Sequence, residues 1–121
     1  MFLIRKKMLY SESLKKTRDF QQVYRRGTSA AERQFVMYAL KNGSEKNRLG
    51  ISVSKKVGNS IVRHRISRLI REAYRLQETG FSRGMDIVVV ARVSAAGTTQ
   101  EETKKEIRRL GRRLHIWEDT E

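Results

Sequence analysis

The sequence predicts an α+β domain in which a β-sheet is backed by helices, a two-layer sandwich with the element order α-β-β-α-β-α. Three observations carry that reading. Helical spacing recurs near the start, in the middle and near the end of the chain. Two stretches between them are rich in branched and aromatic residues, and a third holds the continuous apolar run Ile87-Val88-Val89-Val90. At 121 residues with 38% hydrophobic side chains, the chain has the size of one domain and enough apolar material for a modest core.

Leu14 to Arg26 reads as a short helix because Phe20, Val23 and Tyr24 fall at i, i+3 and i+4, with Thr17 as candidate N-cap and Gly27 as candidate C′ residue. Gln34 to Leu40 reads as a strand. Arg48 to Ser54 alternates Leu49, Ile51 and Val53 against Gly50, Ser52 and Ser54, which predicts a second strand with one buried face. The turn signal Asn42-Gly43-Ser44 between them suggests an antiparallel hairpin with a long loop. Ser60 to Gln77 carries the strongest helical pattern, and Gly80 ends it. Met85 to Val93 has the character of a strand covered on both faces. Thr99 to Leu114 is a last helix, capped by Thr98 or Thr99, with Glu101 and Glu102 near its positive end. Residues 13–115 then form a single domain. It is flanked by a basic extension, 1–12, expected to be disordered, and by an acidic tail, 116–121.

Charge is the chain's dominant compositional feature. Lys and Arg number 27 against 13 Asp and Glu, a formal +14. Residues 1–48 carry a net +8 and residues 55–75 a net +6, while the remainder balances. Such a surplus opposes compaction and suits a polyanionic partner. With no cysteine, disulfide scaffolds, cysteine nucleophiles and thiolate metal sites are excluded. No apolar run approaches the ~20 residues of a membrane span, and Met1 to Tyr10 lacks a secretory apolar core. The expectation is a cytoplasmic domain with no membrane role.

On a helical wheel of 60–77, Val62, Ile66, Leu69, Ile70, Ala73 and Leu76 gather as the predicted core stripe. His64, Arg68, Arg71 and Arg75 lie opposite, and Arg63 and Arg65 flank the stripe. For one arginine this is an ordinary solvated face. Taken together, five arginines have only Glu72 as a local carboxylate, so pairing along the helix cannot neutralise them. Lys55, Lys56 and the Gly58-Asn59 turn precede the helix, whose free N–H groups add positive potential there. This cluster predicts a phosphate-binding surface, for which the planar fork of arginine is suited. Phe20 and Tyr24 share a helix face, and Tyr38 and Phe35 lie on the next strand. Core packing is the plain reading of Phe35 and Phe20 taken alone, whereas Phe20, Tyr24 and Tyr38 together, beside basic residues, also suit base stacking in a groove between helix and sheet. The small polar edge Gly50, Ser52 and Ser54 leaves room for a chain there.

The stretch SKKVGNSIVRHRISRLIREA, Ser54 to Ala73, resembles the signature region of the bacterial ribonuclease P protein subunit. The segments Asp19 to Gly27 (DFQQVYRRG), Arg33 to Val36 (RQFV) and Asp86 to Arg92 (DIVVVAR) resemble the same family in the same order. The likeness covers roughly residues 13–115. Two positions depart from it: the family's Arg-Asn-Arg core is Arg63-His64-Arg65 here, and Ser67 stands where a basic residue is usual.

The resemblance implies a protein that binds a large catalytic RNA, one subunit to one RNA, and helps it remove the 5′ leader of precursor tRNA. The RNA performs the hydrolysis with Mg²⁺ that it binds itself, so no catalytic or metal-ligating protein residue is implied. The family fold is ribosomal-protein-like, with a left-handed β-α-β crossover around the signature helix. Lys55, Lys56, Asn59, Arg63, His64, Arg65, Arg68, Arg71 and Arg75 are the implied contacts to the catalytic RNA. Phe20, Tyr24, Val36, Tyr38 and Ser52 are the implied lining of the leader cleft.

Three rivals are weaker. A free-standing metallonuclease needs clustered carboxylates, yet Asp19, Asp86 and Glu101-Glu102 are far apart in sequence, and His64 and His115 lack metal-ligand spacing. A structural or chaperoning RNA binder of ribosomal-protein type fits the composition and remains the alternative. A helix-turn-helix DNA reader lacks the close partner helix it needs.

Overall fold

The computed structural model describes residues 8–118. Strand β1 (Ser11–Ser13) leads into helix α1 (Thr17–Arg26), followed by β2 (Thr28–Ala31), β3 (Phe35–Lys41) and β4 (Asn47–Ser52). Helix α2 (Ser60–Leu76), strand β5 (Met85–Ala91) and helix α3 (Gln100–Arg113) complete the fold, with short 3₁₀ turns at Glu78–Gly80 and Val93–Gly97. The α+β architecture is as expected, and five strands form one sheet in the order β1-β4-β5-β3-β2.

The predicted hairpin does not form. β5 inserts between β3 and β4, antiparallel to the first and parallel to the second. Its centre, Ile87-Val88-Val89, is fully buried, and a strand so apolar on both faces gains most in the middle of a sheet. The Asn42–Lys46 loop therefore spans the end of β5, and α2 connects the parallel neighbours β4 and β5.

Alternation along β3 and β4 divides the core. Phe35, Met37, Ala39 and Leu49 face α2 and α3, where Ile66, Ile70, Ala73, Tyr74, Ile107 and Leu110 complete the main cluster. Helix α1 packs on the opposite face as a partial third layer, burying Leu14 and Val23 against Val88, with Phe20, Tyr38, Leu40 and Val90 around them. Leu14 belongs to the segment before α1, and Lys16, not Thr17, occupies the N-cap, without a side-chain bond. Gly27 is extended (φ −81°), not left-handed; a Cβ there would lie 2.6 Å from the Val23 carbonyl oxygen and 2.7 Å from that of Ala39. Close backbone approach, not cap geometry, demands that glycine.

Thr99 caps α3 in a reciprocal capping box with Glu102. At the other end His115 takes the left-handed conformation (φ 61°), with His115 N–H donating to Arg112 O and Ile116 N–H to Gly111 O. This is a Schellman closure with histidine in the usual glycine position.

Both ends of the folded region extend further than expected. Within the predicted extension, Leu9 and Tyr10 N–H donate to the Glu78 carboxylate (2.6 and 3.0 Å), and β1 pairs with β4. Glu78 is buried, so these donors replace the water it lost. Within the predicted tail, Ile116 is buried and Trp117 packs edge-on against Phe81. Residues 1–7 of that extension and 119–121 of that tail lie outside the described residues.

Candidate nucleic-acid interfaces

Paired residues across a sheet point to the same face, so the register identifies what faces α1. Three rows cross β3, β5 and β4 there: Leu40–Asp86–Arg48, Tyr38–Val88–Gly50 and Val36–Val90–Ser52. Helix α1 covers the first two. Arg48 makes a two-pronged bond to Asp86 (Nε–Oδ1 2.8 Å, Nη2–Oδ2 2.6 Å) and reaches up to Asp19 of α1 at 3.2 Å. Asn42 adds a fourth bond, to Asp86 Oδ1 at 2.9 Å. The hydrogen bond to Asp86 is the main reason the Arg48 guanidinium holds its proton more tightly than usual. This network sets the height and angle of α1 over the sheet.

The middle row carries the aromatic residues. Phe20 lies on Gly50, where an added Cβ would meet its ring at 2.7 Å, so the space expected above Gly50 is filled by Phe20. Tyr24 stands at 4.9 Å from Tyr38 in an edge-on arrangement and at 6.3 Å from Phe20. The third row is left half-buried beside them. All five predicted cleft residues are thus brought together: Phe20, Tyr24 and Tyr38 form a wall, and Val36 and Ser52 lie on the floor. Val90 completes that floor, and Ala31, paired with Val36, extends it. Sequence reasoning missed Val90 because an uninterrupted apolar run hides which residue faces which side. It missed Ala31 because β2 (TSAA) carries no apolar periodicity.

The second surface is the outer side of α2, on the far side of the sheet. Asn59 caps the helix, its Oδ1 accepting from Val62 N–H at 3.0 Å. Arg63 turns back to the Gly58 carbonyl (3.2 Å), and Arg65 donates to the Thr98 carbonyl (2.8 Å). Arg75 is closed on Glu72 by two bonds, 3.0 and 2.7 Å. Arg71 reaches Ser13 at 3.3 Å, whereas Lys55, Lys56, His64 and Arg68 are exposed. Of the predicted contacts, then, Asn59, Arg63, Arg65, Arg71 and Arg75 each make a bond within the protein, and Lys55, Lys56, His64 and Arg68 lie exposed. The core stripe also differs from expectation: Tyr74 is fully buried, Leu69 is only half-buried and Leu76 is 50% exposed. Tyr74 turns inward because its hydroxyl finds Ser11 Oγ at 2.7 Å and Asn47 Nδ2 at 3.1 Å.

The carboxylates nearest the cleft, Asp19 and Asp86, are both committed to Arg48. Among the described residues there is no group of three or more His, Asp or Glu that could hold a metal ion. No described helix is long and apolar enough to cross a membrane.

Fold and charge together define a class: a small, strongly basic α+β domain with an aromatic cleft on one sheet face and an arginine-rich helix on the other. Comparison with known proteins narrows the class to one family. Residues 8–115 match the family model described as Ribonuclease P. The chain is 53% identical over 105 residues to the ribonuclease P protein component of Lachnoclostridium phytofermentans, covering 87% of this chain and 90% of the relative. It is 48% identical over 107 residues to that of Clostridioides difficile, covering 88% and 94%. Among solved structures, the Staphylococcus aureus ribonuclease P protein superposes with a TM-score of 0.80 at 36% identity, covering 91% of this chain and 99% of that one. The Thermotoga maritima protein gives 0.78 at 29% identity, covering 84% and 96%. The chain belongs to the bacterial ribonuclease P protein family.

Proposed function

We propose that this chain binds the ribonuclease P RNA and the 5′ leader of precursor tRNA at once, one protein per RNA, and in the cytoplasm assists endonucleolytic removal of the leader. The observation that carries this reading is the placement of two unlike surfaces on opposite sides of one sheet. The aromatic cleft suits unpaired bases, whose flat faces stack on Phe20, Tyr24 or Tyr38 while Val36, Val90 and Ser52 leave room beneath. The α2 surface suits the backbone of a folded RNA: Lys55, Lys56, Arg63, His64, Arg65, Arg68 and Arg71 offer donors to phosphates. Asn59 and Arg75 hold the helix and its neighbours in shape.

The two surfaces adjoin where Ser52, at the end of β4, is followed within three residues by Lys55. One protein can therefore hold a leader strand and the catalytic RNA in fixed relation. Holding the leader favours precursor over mature tRNA, because only the precursor has a strand for the cleft. Positive charge beside the scissile region lowers the repulsion between two RNA chains. Phosphodiester hydrolysis itself, with its Mg²⁺, belongs to the RNA partner in this reading.

The test is precursor-tRNA cleavage at low Mg²⁺ with a bacterial ribonuclease P RNA, with and without this protein. Stimulation that requires the RNA is the expected result. Cleavage by the protein alone would point to an autonomous nuclease. Equal stimulation of unrelated ribozymes would point to a general chaperone.

A further inference from the structure

Phosphate contacts need only cations, yet the α2 surface also displays apolar groups among its arginines. Leu69 and Leu76, both expected in the core, instead line a groove with Arg68, Arg71, Met8 and Gln100. Leu76 is 50% exposed and Leu69 half-buried, so the guanidinium-lined side of α2 also presents apolar surface. Gln100, at the first turn of α3, contributes a second feature: its side-chain Nε2 is buried and has no hydrogen-bond acceptor. A buried donor left unpaired costs free energy in the free protein, and an acceptor brought into the groove would recover it. The fork of Arg75 is already closed on Glu72 and Arg65 donates to the Thr98 carbonyl, so Arg68 and Arg71, the latter with one long bond to Ser13, are the lining cations freest to meet an anion at the rim.

We propose that this groove receives one unstacked nucleotide of the catalytic RNA, its base lying on Leu69 and Leu76 and its phosphate held by Arg68 and Arg71. A nucleotide is the occupant that matches both halves of the site. Its base is a flat apolar face edged with acceptors, one of which meets Gln100 Nε2, and its phosphate supplies the charge complement. Arginine planes beside the leucines add a stacking surface of their own. The inference rests on the reading of α2 as the catalytic-RNA surface and specifies what that surface recognises beyond charge.

The experiment measures the affinity of the full chain for ribonuclease P RNA across a salt series, with the melting midpoint of each variant. Arg68→Ala should weaken binding and reduce the salt slope by about one, the signature of a lost phosphate contact. Leu76→Ser should weaken binding about tenfold with the slope unchanged, because a base contact releases no counterions. Leu76→Phe, which keeps an apolar face, should retain affinity, and Gln100→Ala should lose several-fold without a change in slope. With adenosine monophosphate and ribose 5-phosphate as probes, the former should bind more tightly to the wild type and lose that advantage in Leu76→Ser. If Arg68→Ala shows its effect while Leu76→Ser and Gln100→Ala bind as wild type, the nucleotide groove is wrong and the α2 reading stands. If Arg68→Ala changes neither affinity nor slope, the α2 reading falls and the groove with it.

Discussion

The sheet face under α1 fixes its groups to one another through a shared network, whereas the cations of α2 and the loop before it are exposed or held one at a time. In the cleft, Phe20 rests on Gly50, Tyr24 meets Tyr38 edge-on, and Arg48 ties the sheet to Asp19 of α1. On α2 and the turn before it, Lys55, Lys56 and Arg68 are exposed, and Arg71 makes a single long bond. The difference teaches what each region recognises. A prebuilt aromatic wall incurs its ordering cost during folding and selects by shape, so its contribution should depend little on salt. Loose cations incur that cost on binding and follow charge, so theirs should fall steeply with salt.

The comparison breaks most severely where the cleft's scaffold is removed. Replacing Arg48 by Met strands Asp86, 4% exposed, with the Asn42 amide as donor and no cation. Because Arg48 is a third exposed and only the carboxylate is buried, losing this cation should cost about 1–3 kcal/mol. Denaturant titration should show that loss, and leader binding should suffer more than binding to the catalytic RNA. A loss below about 1 kcal/mol would mean that α1 is held by apolar packing alone.

An effect of similar size tests the layer beneath α2. Burial pushes the Tyr74 phenol up to about 12, above its ordinary value near 10. The folded state holds the proton more tightly than the unfolded one, so this stabilisation is complete below about pH 10 and is lost as pH rises toward about 12. About 2–3 kcal/mol is at stake by linkage. Thermal melts between about pH 9 and 12 should show the decline, and Tyr74→Phe should flatten that part of the profile.

Two neighbouring arginines sharpen the α2 side. Arg68→Ala should cost about 1–3 kcal/mol in affinity for the catalytic RNA and leave the melting midpoint unchanged. Arg65→Ala should cost a similar affinity and also about 0.5–1 kcal/mol of stability, because it gives up the bond to Thr98 O. Filter binding with a melting curve distinguishes them; a stability loss for Arg68 equal to that for Arg65 would make both structural. Smallest of all, His115→Gly should add about 0.5–1 kcal/mol of stability by relieving the left-handed conformation, with neither RNA affinity altered.

Much of this was legible in the residues, and what was hidden has physical reasons. The three helices and their arginine face follow from 3.6-residue spacing and from the lack of carboxylates around α2. The five cleft residues follow from aromatic placement and family resemblance; register puts Val36, Tyr38 and Ser52 on one face, and the packing of α1 brings Phe20 and Tyr24 to it. β1 and β2 were invisible because SES and TSAA are short and polar; edge pairing, not side-chain pattern, makes them strands. The place of β5 between β3 and β4 is a tertiary choice that no local signal records. Leu76 was misplaced because a wheel assumes one burial direction along α2. In fact Tyr74, bonded to Ser11 and Asn47, takes the core position near its end.

The central claim is that the cleft and the arginine helix are separate binding surfaces, and Tyr24→Ala tests it most directly. Tyr24 is 39% exposed but packs edge-on against Tyr38, so its loss should lower stability by about 0.5–1.5 kcal/mol and leave the domain folded. Three dissociation constants should be measured in parallel, for precursor tRNA with several leader nucleotides, for mature tRNA, both in the presence of the catalytic RNA, and for the catalytic RNA alone. The expected result is a loss of about 1–3 kcal/mol for precursor tRNA, the worth of one base stacked on an aromatic ring, with the other two constants unchanged. A uniform loss across all three would contradict the account and make Tyr24 part of the scaffold.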